Sequence, residues 1–167
     1  MARVVTKIGD IFEVSLGDGR KKYLQYIISD LMQLNSDVIR VFKQTYQIED
    51  KPDLEEVVKG DVDFYCHTTT SAGIKMGLWT KAGKSNDVGT LDLLFRGAKD
   101  SSRKPEEPVK KISNDWYIWR ANDEQFTYVG KLEGSNRKAE LGSVYPPFAV
   151  IQRIITGDYG MYYPDYE

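Results

Sequence analysis

Residues 8–28, IGDIFEVSLGDGRKKYLQYII, decide how the rest of the chain is read. Phe12, Val14 and Leu16 alternate with Ile11, Glu13 and Ser15 at the period of two that a pleated strand imposes. Leu24, Tyr26 and Ile28 alternate with Tyr23, Gln25 and Ile27 on the return. Between the runs, Gly17-Asp18-Gly19 forms a structural turn whose glycines accept positive φ, and Arg20, Lys21 and Lys22 keep its tip in water. The stretch therefore reads as a β-hairpin. Leu34-Asn35-Ser36-Asp37 is the next turn signal, and Val38–Phe42 the next strand, which pairs with the second to give a three-stranded antiparallel meander.

Beyond the meander the pattern changes. Asp50 or Asp53 caps a short helix with Leu54, Val57 and Val58 on one face and Gly60 at its end. Residues 62–70 return to strand character, Phe64 and Cys66 facing one way and Asp63, Tyr65 and His67 the other. Residues 73–83 and 89–97 are punctuated by glycine and ambiguous, with Leu91, Leu93 and Phe95 favouring a strand in the second. Residues 99–111, KDSSRKPEEPVKK, carry charge, two prolines and no apolar period, so they read as an exposed loop separating two halves of the fold. Residues 116–120 and 125–130 form a second hairpin around Asn122-Asp123. After a polar stretch and a short strand within 140–145, Pro146-Pro147 opens a second helix. Phe148, Ile151, Ile154 and Ile155 lie on one face of it, and Gly157 ends it. The tyrosine-rich tail is expected to pack across the sheet edge. The fold class is α+β: a single domain over residues 1–167, mainly antiparallel β-sheet or open barrel built on the N-terminal hairpin, with about two short helices.

Composition sets outer bounds. At 167 residues, with 41% hydrophobic and 29% charged residues, one core is the expectation. No run approaches the roughly 18 apolar residues of a membrane span, and the first residues carry no apolar stretch of a secretion signal. One cysteine excludes an intrachain disulfide, so the expectation is a cytoplasmic protein without a membrane partner. A net charge of −2 argues against direct nucleic-acid binding over a broad surface.

Chemistry-bearing motifs are scarce. His67 is the single histidine, which excludes a dinuclear histidine metal site, and no phosphate loop, GxSxG elbow or HExxH helix occurs. Cys66 and His67 are adjacent on a strand and point to opposite faces, the pattern of a buried cysteine beside a surface or edge histidine rather than a nucleophilic pair. No catalytic residue, metal or cofactor is assigned. The acidic run Glu49, Asp50, Asp53, Glu55, Glu56, Asp61 and Asp63 is interrupted only by Lys51 and Lys59. It reads either as a face complementary to a basic protein or as the solvated side of a short helix. Trp116, Tyr117 and Trp119 read as a groove wall or as core.

The segments KIGDIFEVSLGDGRKKYLQYI (7–27) and NDWYIWR (114–120), followed by a Pro-led apolar helix, together resemble the bacterial immunity protein 26 family. The resemblance implies an α+β fold and binding to a cognate polymorphic toxin encoded alongside, with toxin activity blocked by that binding. Some relatives carry a phosphotriesterase name. The turn Gly17-Asp18-Gly19-Arg20 matches the family pattern, whereas the tyrosine-rich tail and residues 99–111 do not, and no catalytic set is carried over. Two other classes stay open. Small β-barrel endoribonucleases also begin with a GDI-type strand leading into a hairpin, which makes Arg20, Arg40 and Thr68 candidates. A small-molecule-binding module would use the aromatic strand.

Overall fold

In the computed structural model, which describes residues 2–102 and 104–167, β1 (Asp10–Ser15) and β2 (Arg20–Asp30) pair antiparallel, with Phe12 opposite Leu24. Gly17 and Gly19 adopt φ of 80° and 84°, and the Arg20 amide donates to the Asp18 carboxylate, so the turn needs the residues it has. β3 (Ser36–Phe42) pairs antiparallel with β2, completing the meander. The short β4 (Tyr46–Gln47) joins the start of β2, β5 (Val62–Thr68) lies outside β3, and β6 (Thr80–Lys84) lies outside β1. The first sheet thus has the order β5-β3-β2-β1-β6. A second sheet contains β7 (Leu94–Ala98), β8 (Trp116–Arg120), β9 (Thr127–Gly130) and β10 (Glu140–Leu141) in the order β10-β7-β8-β9, with only β10 and β7 parallel. The fold is α+β with mainly antiparallel pairing, and neither sheet closes into a barrel.

Both faces of the first sheet are covered. On one face Phe12, Val14, Leu24, Ile39, Val41 and Phe64 meet α3 (Pro147–Thr156), with Trp79, just beyond α2 (Thr70–Lys75), packed on Phe12. On the other, Ile11, Tyr23 and Phe42 meet Val57 and Val58 at α1 (Leu54–Val57), while Ile27 and Val38 meet Phe95 and Trp119 of the second sheet. Double coverage explains why Tyr23 to Ile27 are all buried: the alternation of β2 separates two cores instead of core from water. Each fully buried large apolar side chain contributes about 1.5–3 kcal/mol, and β2 and β3 place such side chains in the cores on both faces of the sheet.

Several expectations are corrected. Phe148 and Ile155 are more than half exposed, and the buried face of α3 is formed by Pro147, Ala149, Val150 and Ile154. Phe148, Gln152 and Ile155 share the opposite face at spacings of four and three, which turns them to solvent together. His67 is fully buried because the second sheet covers its side of β5. Residues 70–84 hold α2 and β6, giving three α-helices among the described residues. Leu91 is exposed and β7 starts only at Leu94. The charged loop connects β7 to β8, neighbours in one sheet; the boundary between sheets falls earlier, between β6 and β7. The tail does pack on the second sheet: Asp165 bridges Ile112, and Tyr163 and Tyr166 join the cluster of Trp116 and Leu132.

Candidate functional site

The acidic stretch folds into a corner built by local hydrogen bonds. Asp53 is the N-cap of α1, accepting from the Glu55 amide at 3.0 Å, and Glu55 and Glu56 fill the first turn, where carboxylates suit exposed amides. Just before it, the Asp50 carboxylate accepts from the Gln47 amide at 2.9 Å. Lys21, nearly buried, donates to the Asp50 carbonyl at 2.6 Å and to Glu13 at 3.1 Å. Val57 and Val58 anchor the helix to the sheet and leave Glu49, Asp50, Asp53, Glu55 and Glu56 all exposed. Beside them lies a groove of about 430 Å³ whose wall includes Tyr23, Ile48, Pro52, Leu54 and Ala82.

Of the seven acidic residues, the structure brings five together. Asp61 precedes β5, and Asp63 turns to the other face of the sheet, 3.7 Å from Lys22. Besides Asp50 and Asp53, which accept backbone amides, Glu56 pairs with Lys59 at 2.9 Å, and Glu55 accepts from the Ser85 hydroxyl at 2.9 Å. The Glu49 carboxylate has no ion pair among the described residues.

The aromatic strand divides between two cores. Trp116 packs with Ala98 and Leu132, and Trp119 with Phe95 at the junction of the sheets; both are buried, while Tyr117 is half-buried under the exposed Phe126. Trp119 lies directly on Gly142, where a Cβ would come within 1.8 Å of the ring. Its indole N–H donates to Asp30 at 3.1 Å, and His67 Nε2 lies 2.9 Å from the same carboxylate oxygen. Burial opposes the His67 charge and pushes its pKa down despite Asp30. For Asp30 burial acts upward, but the hydrogen bonds from His67, Trp119 and the Asn122 amide outweigh it and hold the carboxyl below its usual range. Cys66, on the opposite face of β5, has its thiol pushed up to about 12 by burial, so no thiolate–imidazole pair forms.

Arg20, Arg40 and Thr68 are not assembled. Arg40 pairs with Gln25 in the register, five residues along β2 from Arg20 and three along β3 from Asp37, the partner of Thr68, which spaces them by about 16 and 10 Å. Arg20 is exposed and bonded to Asp18. Arg40 is buried, bonded to the Gln25 side chain and the Asp87 carbonyl. The Thr68 hydroxyl donates to the Tyr145 carbonyl. Among the described residues, no three His, Cys, Asp or Glu side chains are grouped to hold a metal ion, and no helix is long and apolar enough to cross a membrane.

Sequence reasoning did not find the Asp30–His67–Trp119 cluster or the arginines Arg96 and Arg153 facing the C-terminal tail. The members of each come from distant segments, and only the fold joins them. Comparison with known proteins found no match to a family model, to a curated protein or to a solved structure.

Proposed function

We propose that this chain is an immunity protein that binds and neutralises a cognate basic bacterial toxin, with the acidic corner at α1 as the face that meets it. The observation that carries the reading is the gathering of Glu49, Asp50, Asp53, Glu55 and Glu56, all exposed, around one short helix beside a groove of mixed charged and apolar lining. Such a surface offers what a basic partner needs: negative field to steer the encounter, and apolar area at Ile48 and Leu54 to hold the docked state. The resemblance of the N-terminal hairpin to the immunity family points to the same class of partner. The separation of Arg20, Arg40 and Thr68 removes the geometric support for ribonuclease chemistry.

The test is co-expression with the toxin encoded beside it, followed by association kinetics across ionic strength. Asp53 and Glu55 are left in place because they hold the helix and Ser85. The double variant Glu49→Lys/Glu56→Lys should keep the wild-type melting temperature and slow association on the order of tenfold at low salt, the difference shrinking as salt rises. Equal on-rates for both proteins would remove the acidic corner from the interface. Failure of the wild type to protect cells or bind the toxin would remove the immunity reading.

A further inference from the structure

On the face of the first sheet away from α1, β10, α3 and the C-terminal tail line a partly open cavity of about 290 Å³. Two guanidinium groups line it, and their electrostatic situations differ. Arg153 is paired: Nη1 donates to Glu140 at 3.2 Å and to the Tyr159 hydroxyl at 2.9 Å, and the group lies over the Phe64 ring. Among the described residues Arg96 has no carboxylate in contact; Asp165 and Glu140 act on its charge from farther off. Its central carbon sits 5.0 Å from the ring centroids of both Trp116 and Tyr166, and Nε donates to the Ala139 carbonyl at 3.1 Å. Nη1 is shut from solvent without an acceptor, and among the described residues no carboxylate comes within ion-pair distance of the group.

A partly buried guanidinium whose nearest carboxylates lie beyond ion-pair distance is incompletely compensated, and two aromatic faces offset only part of that cost. The rest of the wall indicates which anion would fit. Leu141, Met161 and Pro164 are apolar. Tyr163 accepts from the Ala98 amide at 3.0 Å, which leaves its own hydroxyl proton to donate. Three carboxylates also line the cavity: Glu140 on Arg153, and Asp158 and Asp165, which hold tail amides. They repel a multiply charged anion more than a singly charged one, and the volume admits one ring or a short chain.

We propose that this cavity binds a small monocarboxylate with an apolar body, its carboxylate against the Arg96 guanidinium and its hydrocarbon against Leu141, Met161 and Pro164. With Nε on the Ala139 carbonyl and Nη1 shut from solvent, Nη2 is the donor left to meet the carboxylate. The site shares no residue with the acidic corner, so it stands whether or not a toxin binds there.

The probe is benzoate, titrated into isotope-labelled protein and followed by amide chemical shifts, with benzyl alcohol and inorganic phosphate as comparisons. Benzoate should give saturable shifts at Arg96, Leu141 and Tyr163, and bind more tightly than either comparison compound. Arg96→Gln should weaken benzoate binding by about tenfold or more, which corresponds to about 1.4 kcal/mol. Asp165→Asn keeps an acceptor for the Tyr166 amide but removes a repelling charge, so it should tighten binding. No saturation by benzoate overturns the proposal. Benzyl alcohol binding as tightly would reduce the site to an apolar hole, and tighter phosphate binding would refute the carboxylate assignment. Should Arg96→Gln fail to fold, Asp165→Asn decides alone, and unchanged or weaker benzoate affinity there overturns the charge argument.

Discussion

Asp30 is fully buried, and each hydrogen bond it accepts ties one part of the chain to another. His67 Nε2 lies at 2.9 Å, and Trp119 Nε1, the Asn122 amide and the Gln33 amide donate at 3.1, 3.2 and 3.4 Å. A neutral imidazole with its proton on Nε2 satisfies this arrangement, consistent with the lowered His67 pKa. The pH consequence has a definite sign. Below the ordinary histidine value of 6.5 the unfolded chain takes up a proton that folded His67 refuses, so stability present above that pH is lost as pH falls toward the folded value. The slope should approach about 1.4 kcal/mol per pH unit within that window. Urea unfolding at pH 7.5, 6.0 and 5.0 measures it, and because His67 is the single histidine, His67→Gln should flatten the slope most between the last two points. An unchanged slope in that variant would show that His67 does not carry the effect. Asp30→Ala should be destabilising, at about 1–3 kcal/mol for each neutral donor left buried without an acceptor. None of this was legible beforehand: Ser29-Asp30 ends a strand in the ordinary way, and nothing local reveals a partner 37 residues on.

At the scale of elements, the readable ones carry their own instructions. The hairpin of β1 and β2 has alternation and two glycines whose positive φ the backbone uses, and α1 has its cap in Asp53. The elements that were missed draw theirs from elsewhere. α2 has three threonines at its start, an internal glycine and no side-chain cap of its own at Thr69. Its first turn is held by Asp37 of β3, which accepts from the Thr70 amide at 2.8 Å and from its hydroxyl at 2.5 Å, and Gly73 makes room for Trp79. In α3 both faces carry apolar residues, so periodicity alone did not choose between them, and Gln152 and Thr156 were the marks of the solvent side. The small Ala149 lets the helix approach the sheet, and Val150 and Ile154 fill the contact. Ile154→Ala should therefore lose about 2–4 kcal/mol, while Phe148→Ala should stay within about 0.5 kcal/mol of wild type. Chemical denaturation of the two variants checks the helix face directly; the reverse order of effects would restore the face that the sequence favours.

For the molecule as a whole, the question is whether two sheets behave as one structure. The acidic corner was legible because its five residues are neighbours in the chain, and the Arg96 cavity was not, because its walls come from residues 96, 140, 153 and the tail. The same long-range logic joins the sheets: Ile27 and Val38 of the first pack on Phe95 and Trp119 of the second, and Asp30, which holds His67 within the first sheet, accepts from Trp119 across the junction. Separating the sheets would expose these apolar side chains and leave a buried carboxylate without its donors. A state with one sheet folded and the other open therefore has little to stabilise it, and the chain should unfold in a single cooperative step. Trp79→Phe makes this measurable, because the remaining tryptophans, Trp116 and Trp119, both lie on β8 and their fluorescence reports the second sheet alone. In that variant the urea midpoint by fluorescence should coincide with the midpoint by far-ultraviolet circular dichroism, which follows the backbone of both sheets. A fluorescence transition completed at lower urea, with dichroism still near native, would mean that the second sheet opens by itself and that the junction at Asp30 does not couple the two.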